Sequence, residues 1–186
     1  MDFKHIEYMK NGTTMQQKTY RILTELNILN VLAEYTPLVV GTIPINIEIK
    51  SSDVDIVCEV HDFQKFEQEV LSYYPQAQIS KKENIIVARF VVDELEIELY
   101  GSTKKSCETN GYRHMIIEYR ILMLANHKFK ELIVELKKTG VKTEPAFAKI
   151  MQLQGNPYEE LLTFEQYTDD ELLNYLRGVN DGNSIY

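Results

Sequence analysis

Apolar residues follow a mixture of helical and strand periods in the first half of the chain and a helical period alone in the second half. Between Thr14 and Tyr35 they recur every three or four positions, which predicts an amphipathic helix with its N-cap at Thr13 or Thr14. Asn27 and Asn30 lie inside this segment and could divide it into two helices. Pro37 then ends the helical pattern.

Short strands are predicted downstream, because apolar residues there alternate with polar ones or form brief runs between turn residues. Ile43 to Ile49 carries isoleucine at every second position and is expected to be extended. Asp62 is expected to cap a helix over 63–73, and Asp93-Glu94 to connect two strands as a hairpin. The predicted strands are 38–40, 53–60, 77–80, 85–92 and 95–100.

Only helices are predicted from Gly111 onward. Gly140 ends one of them, and Thr143 is expected to be the N-cap of the next, since Pro145 stands in its first turn. The polar tail from Gly178 is expected to fray. The other predicted helices are 112–128, 129–138 (continuous with the preceding one or broken from it), 157–162 and 169–176.

These elements predict an α+β protein in which a small mixed β-sheet is flanked by helices. The sheet and the N-terminal helices occupy residues 1–104, and a helical region occupies 105–186. No linker rich in Gly, Ser or Pro separates the two regions. We therefore expect the helical region to pack on the sheet as one compact unit and to wall one side of a cleft.

The acidic balance of the chain limits the classes of partner. The 28 acidic residues outnumber the 20 basic ones, and the formal net charge is -8. A protein that coats DNA or RNA needs a basic surface, so this class is disfavoured. Two isolated cysteines, a polar N-terminus and the lack of an apolar run of about 18 residues predict a cytoplasmic protein without a membrane span.

The most informative polar pair is Asp53 and Asp55, which stand two positions apart in a predicted strand. Residues at this spacing share one face of a strand, whereas Val54 and Ile56 point to the other face, toward the core. Two neighbouring carboxylates repel each other unless a cation lies between them. Their hard oxygens suit Mg²⁺ or Mn²⁺, and paired metal ions can activate an attacking oxygen and stabilise a leaving pyrophosphate.

A third carboxylate is expected from a neighbouring strand. Glu96 and Glu98 lie on one face of the strand 95–100, and we prefer Glu98, because it lies deeper in the strand and nearer the Gly101 turn. Glu96 is the alternative. Asp-x-Asp and Glu-x-Glu pairs also occur by chance as solvated strand faces, so this pattern alone does not establish a metal site.

A glycine turn upstream strengthens the case for a site. Gly41-Thr42 closes the apolar strand 38–40, twelve residues before Asp53. With Ser52-Asp53-Val54-Asp55, this arrangement resembles the nucleotidyltransferase superfamily of DNA polymerase beta-like and antibiotic-modifying enzymes. The resemblance implies that Gly41, Thr42 and Ser52 bind a nucleoside triphosphate and that Asp53, Asp55 and a later carboxylate bind the metal ions.

A closer resemblance covers nearly the whole chain. It is to a bacterial family known as domain of unknown function 4269, which is assigned to the nucleotidyltransferase-like fold. One segment departs from that family, because Ser102 to Thr109 stands where its members usually carry a Pro-Val-Glu-Gln-like stretch. The segments that resemble the family are 41–45, 52–56, 112–118, 142–148 and 155–158.

A second polar cluster opens the long helix predicted from Tyr112. His114 and Glu118 are four residues apart and therefore face one direction. Arg113 is a candidate phosphate ligand, and His114 a candidate acid, base or substrate ligand. The alternative is a capped helix start with a surface salt bridge.

Three functions are consistent with the sequence. The first is metal-dependent transfer of a nucleotide from a nucleoside triphosphate to a hydroxyl group on a small molecule or protein, with an RNA end disfavoured by the net charge. The second is a catalytically weak or inactive nucleotide-binding module, such as a sensor or a toxin–antitoxin component. The third is an interaction protein that needs no metal ion, in which the aspartates form a solvated strand face.

Overall fold

The structure is a computed structural model that describes the backbone of residues 1–182 and the side chains of residues 1–179. The strands are β1 (Leu38–Val40), β2 (Val54–Glu59), β3 (Gln78–Lys82), β4 (Ile85–Val92) and β5 (Leu95–Ser102). The helices are α1 (Thr14–Glu25), α2 (Ile28–Val31), α3 (Phe63–Tyr73), α4 (Asn110–Leu124), α5 (His127–Lys138), α6 (Thr143–Met151), α7 (Pro157–Thr163) and α8 (Asp169–Gly182).

The five strands form one mixed sheet in the order β1-β2-β5-β4-β3. Only β2 and β5 are parallel, and the other neighbours are antiparallel. A parallel pair needs a crossover between its strands, and α3, β3 and β4 provide it here. The predicted α+β class with a small mixed sheet is confirmed.

The N-terminal helical segment is divided, as predicted. The Thr13 side chain accepts a hydrogen bond from the Gln16 backbone N–H, and the Gln16 side chain accepts one from the Thr13 backbone N–H, which forms a capping box. α1 ends at Glu25, and Asn27 adopts a left-handed conformation with φ of 52°. Asparagine tolerates this region better than most residues, so the break falls there and α2 starts afresh.

The segment after Thr42 differs from the prediction. Ile43 to Ile49 was expected to be extended, but residues 42–46 form consecutive turns. Asn46 has φ of 58° and donates its backbone N–H to the Ile43 carbonyl. The alternating isoleucines reflect burial within this folded loop and not strand pairing, since Ile43, Ile45 and Ile47 are all buried.

The β4–β5 hairpin is confirmed at Asp93-Glu94. Both residues have positive φ, 50° and 62°, as a two-residue type I′ turn requires. Neither is glycine, so each accepts some backbone strain. Arg21 donates a hydrogen bond to Asp93 Oδ2 at 2.8 Å, and Lys18 donates one to the Asp93 carbonyl, so α1 helps to hold the turn.

The ends of three helices differ from the sequence prediction. The helix predicted to run through Lys128 ends at Leu124, because Asn126 accepts the backbone N–H of Phe129 and caps α5 instead. Lys142, not Thr143, is the N-cap of α6, and it makes no side-chain cap. α8 continues to Gly182, beyond the expected end at 176, and the tail residues 183–186 lie outside the described residues.

The chain divides into two compact units. The first comprises residues 1–46 and 51–112, and the second comprises 47–50 and 113–186. In the first unit, the core-facing side of the sheet packs with Ile22, Leu23 and Phe66. In the second, Ile121, Ile133 and Phe147 are completely buried. Within residues 1–182, no helix combines the length and the apolar character that crossing a membrane requires.

Candidate functional site

A row of register partners crosses the sheet at the level of Asp55. Val40 is opposite Asp55, Asp55 is opposite Glu98, Glu98 is opposite Arg89, and Arg89 is opposite Gln78. Register partners on adjacent strands point to the same face and lie about 5 Å apart. The sheet thus brings Asp55 and Glu98 side by side, with Arg89 next to Glu98.

The opposite face of β2 is apolar, as the alternation predicts. Val54, Ile56 and Cys58 are buried in the core, whereas Asp55 is only partly buried. Burial raises the pKa of the Cys58 thiol to about 12, because the core does not solvate a thiolate. Cys58 is therefore a packing residue and not a nucleophile.

Asp53 precedes the first residue of β2 and is exposed. Asp55 lies inside the strand, and its carboxylate approaches the backbone of Gly41. Gly41 has φ of +82°, and a Cβ built there would lie 2.7 Å from Asp55 Oδ2. A side chain at Gly41 would force this carboxylate to move, so the glycine provides both the turn and the space for Asp55.

Thr42 and Ser52 lie at the two ends of the loop between β1 and β2, and their hydroxyl groups meet. Thr42 Oγ1 and Ser52 Oγ are 3.2 Å apart. The hydroxyl groups predicted to bind phosphate therefore come together next to the Gly41 turn and just before Asp53.

Gln16 was not singled out by the sequence analysis, yet it holds this loop in place. Its buried side chain donates from Nε2 to the Ile43 carbonyl at 2.8 Å and to the Pro44 carbonyl at 3.3 Å. Its Oε1 accepts the Thr13 backbone N–H at 3.0 Å. The capping-box spacing from Thr13 was the available signal, but it indicates only the local role and not the contact with the loop.

Arg89 was also not singled out. It is the only basic residue in the otherwise apolar strand β4, and its Nε donates to Glu98 Oε2 at 2.6 Å. Its Nη2 contacts the same carboxylate oxygen, and its Nε lies 3.9 Å from Glu96 Oε1. The strand register creates this contact, so the sequence of β4 alone does not reveal it.

The candidate carboxylates provide oxygen ligands that suit a divalent cation, but they do not form a complete coordination site. Asp53 and Asp55 supply hard oxygens, and the space at Gly41 keeps the Asp55 carboxylate close to the turn. Among the described side chains, those of residues 1–179, no group of three or more His, Cys, Asp or Glu has the arrangement of a metal site. Glu98 is instead paired with Arg89.

Arg113 and His114 belong to the second unit, and both side chains make hydrogen bonds there. The Arg113 guanidinium donates to both carboxylate oxygens of Glu165, at 2.9 and 2.6 Å, and the hydrogen bond with Glu165 raises its pKa. His114 is buried, with Nε2 2.8 Å from the Tyr158 carbonyl oxygen and Nδ1 3.5 Å from Glu144 Oε1. Nε2 must carry the hydrogen in the first contact, because a carbonyl oxygen can only accept.

Glu118 faces the interior of the second unit and is 3% exposed. Burial raises its pKa well above the ordinary value, Glu144 raises it further, and Lys137 opposes the shift. The buried Glu118 Oε1 has no hydrogen-bond partner among the described residues. Lys137 donates its Nζ to the Ile47 carbonyl at 2.7 Å. Glu118 thus belongs to a buried polar group in the helical unit.

A family model supports the sequence resemblance. The model for a domain of unknown function, DUF4269, matches residues 21–164. The chain belongs to this family. A search of curated protein sequences finds no match to this DUF4269 protein.

Solved structures show the fold of this DUF4269 protein. A cytoplasmic RNA terminal U-transferase aligns at 11% identity and TM-score 0.54, covering 77% of this chain and 42% of its own. The Cid1 poly(U) polymerase with Mg and 3'-dATP aligns at 11% identity and TM-score 0.52, with coverages of 78% and 46%. The GLD-2/RNP-8 complex aligns at 15% identity and TM-score 0.54, with coverages of 95% and 81%.

These alignments show a nucleotidyltransferase-like fold and nothing finer, because the identities are so low. The DUF4269 chain spans less than half the length of the U-transferase and poly(U) polymerase chains. Activity and substrate must therefore be argued from the residues of this chain.

Proposed function

We propose that this DUF4269 protein transfers a nucleotide from a nucleoside triphosphate to an acceptor hydroxyl group, with Mg²⁺ or Mn²⁺ as cofactor. The observation that carries the proposal is the contact between the Gly41 turn and Asp55. A Cβ at Gly41 would lie 2.7 Å from Asp55 Oδ2, so the turn suited to a triphosphate and a carboxylate suited to a cation adjoin each other. The nucleotidyltransferase-like fold supports the proposal.

Each residue of the proposed site has a separate role. The backbone at Gly41 and the hydroxyl groups of Thr42 and Ser52 bind phosphate oxygens, since unhindered N–H groups and hydroxyl donors suit an anion. Asp53 and Asp55 hold the divalent cation through their carboxylate oxygens. A bound divalent cation supplies charge stabilisation for the phosphate oxygens and the leaving pyrophosphate.

Glu98 lies next to Asp55 on β5 and is proposed to accept the proton of the acceptor hydroxyl. Its negative charge is held in place by Arg89. Arg113 and His114 would have to release Glu165 and the Tyr158 carbonyl before they could bind phosphate or acceptor. Their proposed role in nucleotide binding is therefore secondary to that of Gly41 and Thr42.

The acceptor is proposed to be a small molecule or a protein side chain. A formal net charge of -8 opposes the approach of a long polyanion. The U-transferase and poly(U) polymerase act at RNA according to their names, so an RNA 3' end is the natural comparison in any acceptor test.

A second candidate function is nucleotide binding with little or no chemistry. The pairing of Arg89 with Glu98 favours it, because a carboxylate held by a guanidinium is less available to the reaction. A nucleotide sensor or a toxin–antitoxin component would need only the residues that bind the nucleotide and the cation.

Calorimetric binding of Mg²⁺ or Mn²⁺ with a panel of nucleoside triphosphates tests the site itself. We expect metal-dependent nucleotide binding in the unmodified chain and its loss in Asp53→Asn/Asp55→Asn. Glu131→Gln/Glu135→Gln is the matched control, because it removes the same charge from exposed positions on α5. Binding that is unchanged in the aspartate variant, or that is absent at every metal concentration, would refute the site.

Release of pyrophosphate distinguishes the two functions. The chain that binds nucleotide is incubated with small hydroxyl compounds, proteins and RNA oligonucleotides as acceptors. Acceptor-dependent pyrophosphate that disappears in Asp53→Asn/Asp55→Asn supports the transferase. Tight binding without release for any acceptor class supports the binding module.

A further inference from the structure

The Arg89–Glu98 pair gives the proposed site a fixed positive charge. Arg89 and Glu98 are register partners on β4 and β5, and the guanidinium contacts Glu98 Oε2 through both Nε and Nη2. A guanidinium does not lose its proton in proteins, so this charge is present at every working pH.

The neighbours of Glu98 differ in sign on its two sides. Asp55 lies on the β2 side, and Arg89 lies on the β4 side. Neighbouring strands are about 5 Å apart, so a cation that bridged Asp55 and Glu98 would also lie close to the guanidinium. The guanidinium would repel it, and more strongly for a divalent than for a monovalent ion.

The limited exposure of the Glu98 side chain strengthens its dependence on the guanidinium. Its side chain is 19% exposed, whereas that of Arg89 is 47% exposed. A carboxylate with so little access to water depends more on its ionic partner than an exposed carboxylate does. Asp53, in contrast, is exposed and lies before β2. The cation-binding capacity of the site is therefore concentrated at Asp53 and Asp55.

We propose that Arg89 takes the place of a second divalent cation at Glu98, so that the site binds one divalent cation, on Asp53 and Asp55, with Glu98 outside its coordination. The inference rests on the proposed nucleotide and metal site, and it specifies the number of ions that this site takes. Arg89 is a positioning residue, since it acts through Glu98.

Counting bound ions tests the inference without measuring activity. Equilibrium dialysis of the full chain with Mn²⁺ and a non-hydrolysable analogue of the nucleotide that binds best gives bound Mn²⁺ per bound analogue. We expect one ion in the unmodified chain and in Arg89→Lys, which keeps the charge, and two ions in Arg89→Gln. Two ions in the unmodified chain, or one in Arg89→Gln, would overturn the inference.

Arg89→Gln/Glu98→Gln provides an independent check, because it removes the guanidinium and its partner carboxylate together and leaves no unpaired charge beside Asp55. If Glu98 lies outside the coordination of the cation, the double variant keeps one ion, with a dissociation constant within roughly a factor of three, less than half a decade of affinity. Loss of the ion would show that Glu98 is a ligand and would overturn the inference. No ion and no analogue bound to the unmodified chain would instead refute the proposed function.

Discussion

Glu118 is a buried acid whose protonation should govern the stability of the helical unit. Its pKa is raised, first by burial and then by Glu144, against the opposing effect of Lys137. The folded state therefore retains the proton to higher pH than the unfolded state does. The stability contributed by this proton is complete below the ordinary glutamate pKa and is lost as pH rises toward the folded-state pKa.

Glu118→Gln should remove this loss. We expect the variant to gain stability relative to the unmodified chain as pH rises from 5 to 8, by on the order of 1 kcal/mol for each pH unit in which only the unfolded state is ionised. Urea unfolding at several pH values measures the difference. Glu135→Gln on the exposed face of α5 is the control and should show no such trend. A constant difference across pH would contradict a neutral Glu118.

Alanine substitutions at Gly41 and Gly140 separate two effects of an added side chain, the backbone strain and the contact with a neighbouring group. Both have positive φ, +82° and +92°, so alanine pays a similar backbone cost of about 1 kcal/mol at each. A Cβ at Gly41 also meets the Asp55 carboxylate, whereas nothing lies within 4 Å of a Cβ at Gly140. Gly41→Ala should therefore lose more stability than Gly140→Ala and should also weaken Mg²⁺-dependent nucleotide binding. Chemical denaturation and calorimetry measure the two effects, and equal losses with unchanged binding would contradict the contact.

At the scale of elements, α1 supports the loop that follows Thr42. Gln16 donates to two carbonyls of that loop, and its removal would leave both without this donor. We expect Gln16→Ala to cost about 1–3 kcal/mol, the range for breaking buried hydrogen bonds, and to weaken nucleotide binding. Gln17→Ala is the neighbouring control, because the Gln17 side chain is exposed and donates to the carbonyl of Gly12, outside the loop. Similar effects of the two variants on unfolding by urea would argue against a support role for α1.

The elements also show which parts of the fold follow from local sequence. β1, α3 and the Asp93-Glu94 hairpin were predicted well, because their turn residues and apolar period agree. The isoleucines of 43–49 were misread, since a buried loop and a strand can share an alternating pattern. Thr143 failed as an N-cap because α6 starts one residue earlier than its side chain suggested.

The candidate site likewise contains residues that the local sequence predicts and residues that it does not. The turn at Gly41 and the hydroxyl groups of Thr42 and Ser52 could be found from short-range spacing, and the structure brings the two hydroxyl groups within 3.2 Å. Arg89 could not be found in this way, because only the register of β4 on β5 places it against Glu98. Gln16 was missed for a related reason, since its partners at 43 and 44 are distant in sequence.

At the scale of the whole molecule, a ligand held by Gly41, Thr42, Asp53 and Asp55 should stabilise the unit that contains these residues. A ligand at about 100 times its dissociation constant stabilises the folded state by about 2.7 kcal/mol. Amides that exchange only after this unit opens should then exchange roughly a hundredfold more slowly. With Mn²⁺ and a non-hydrolysable nucleotide, hydrogen exchange should therefore slow across residues 38–46 and 51–60, which belong to this unit. The segments α7 and α8 should exchange as in the free chain.

The aspartate variant makes this exchange experiment decisive. Asp53→Asn/Asp55→Asn should show no ligand-dependent protection at residues 38–46 and 51–60, because both proposed cation ligands lose their charge. Protection that persists in this variant would mean that the nucleotide binds elsewhere. Protection of α7 with none at 38–46 and 51–60 would assign the nucleotide to the unit that holds Arg113 and His114, since the Tyr158 carbonyl that pairs with His114 belongs to α7. The two proposed positions of the nucleotide thus predict protection of different segments in the same exchange experiment.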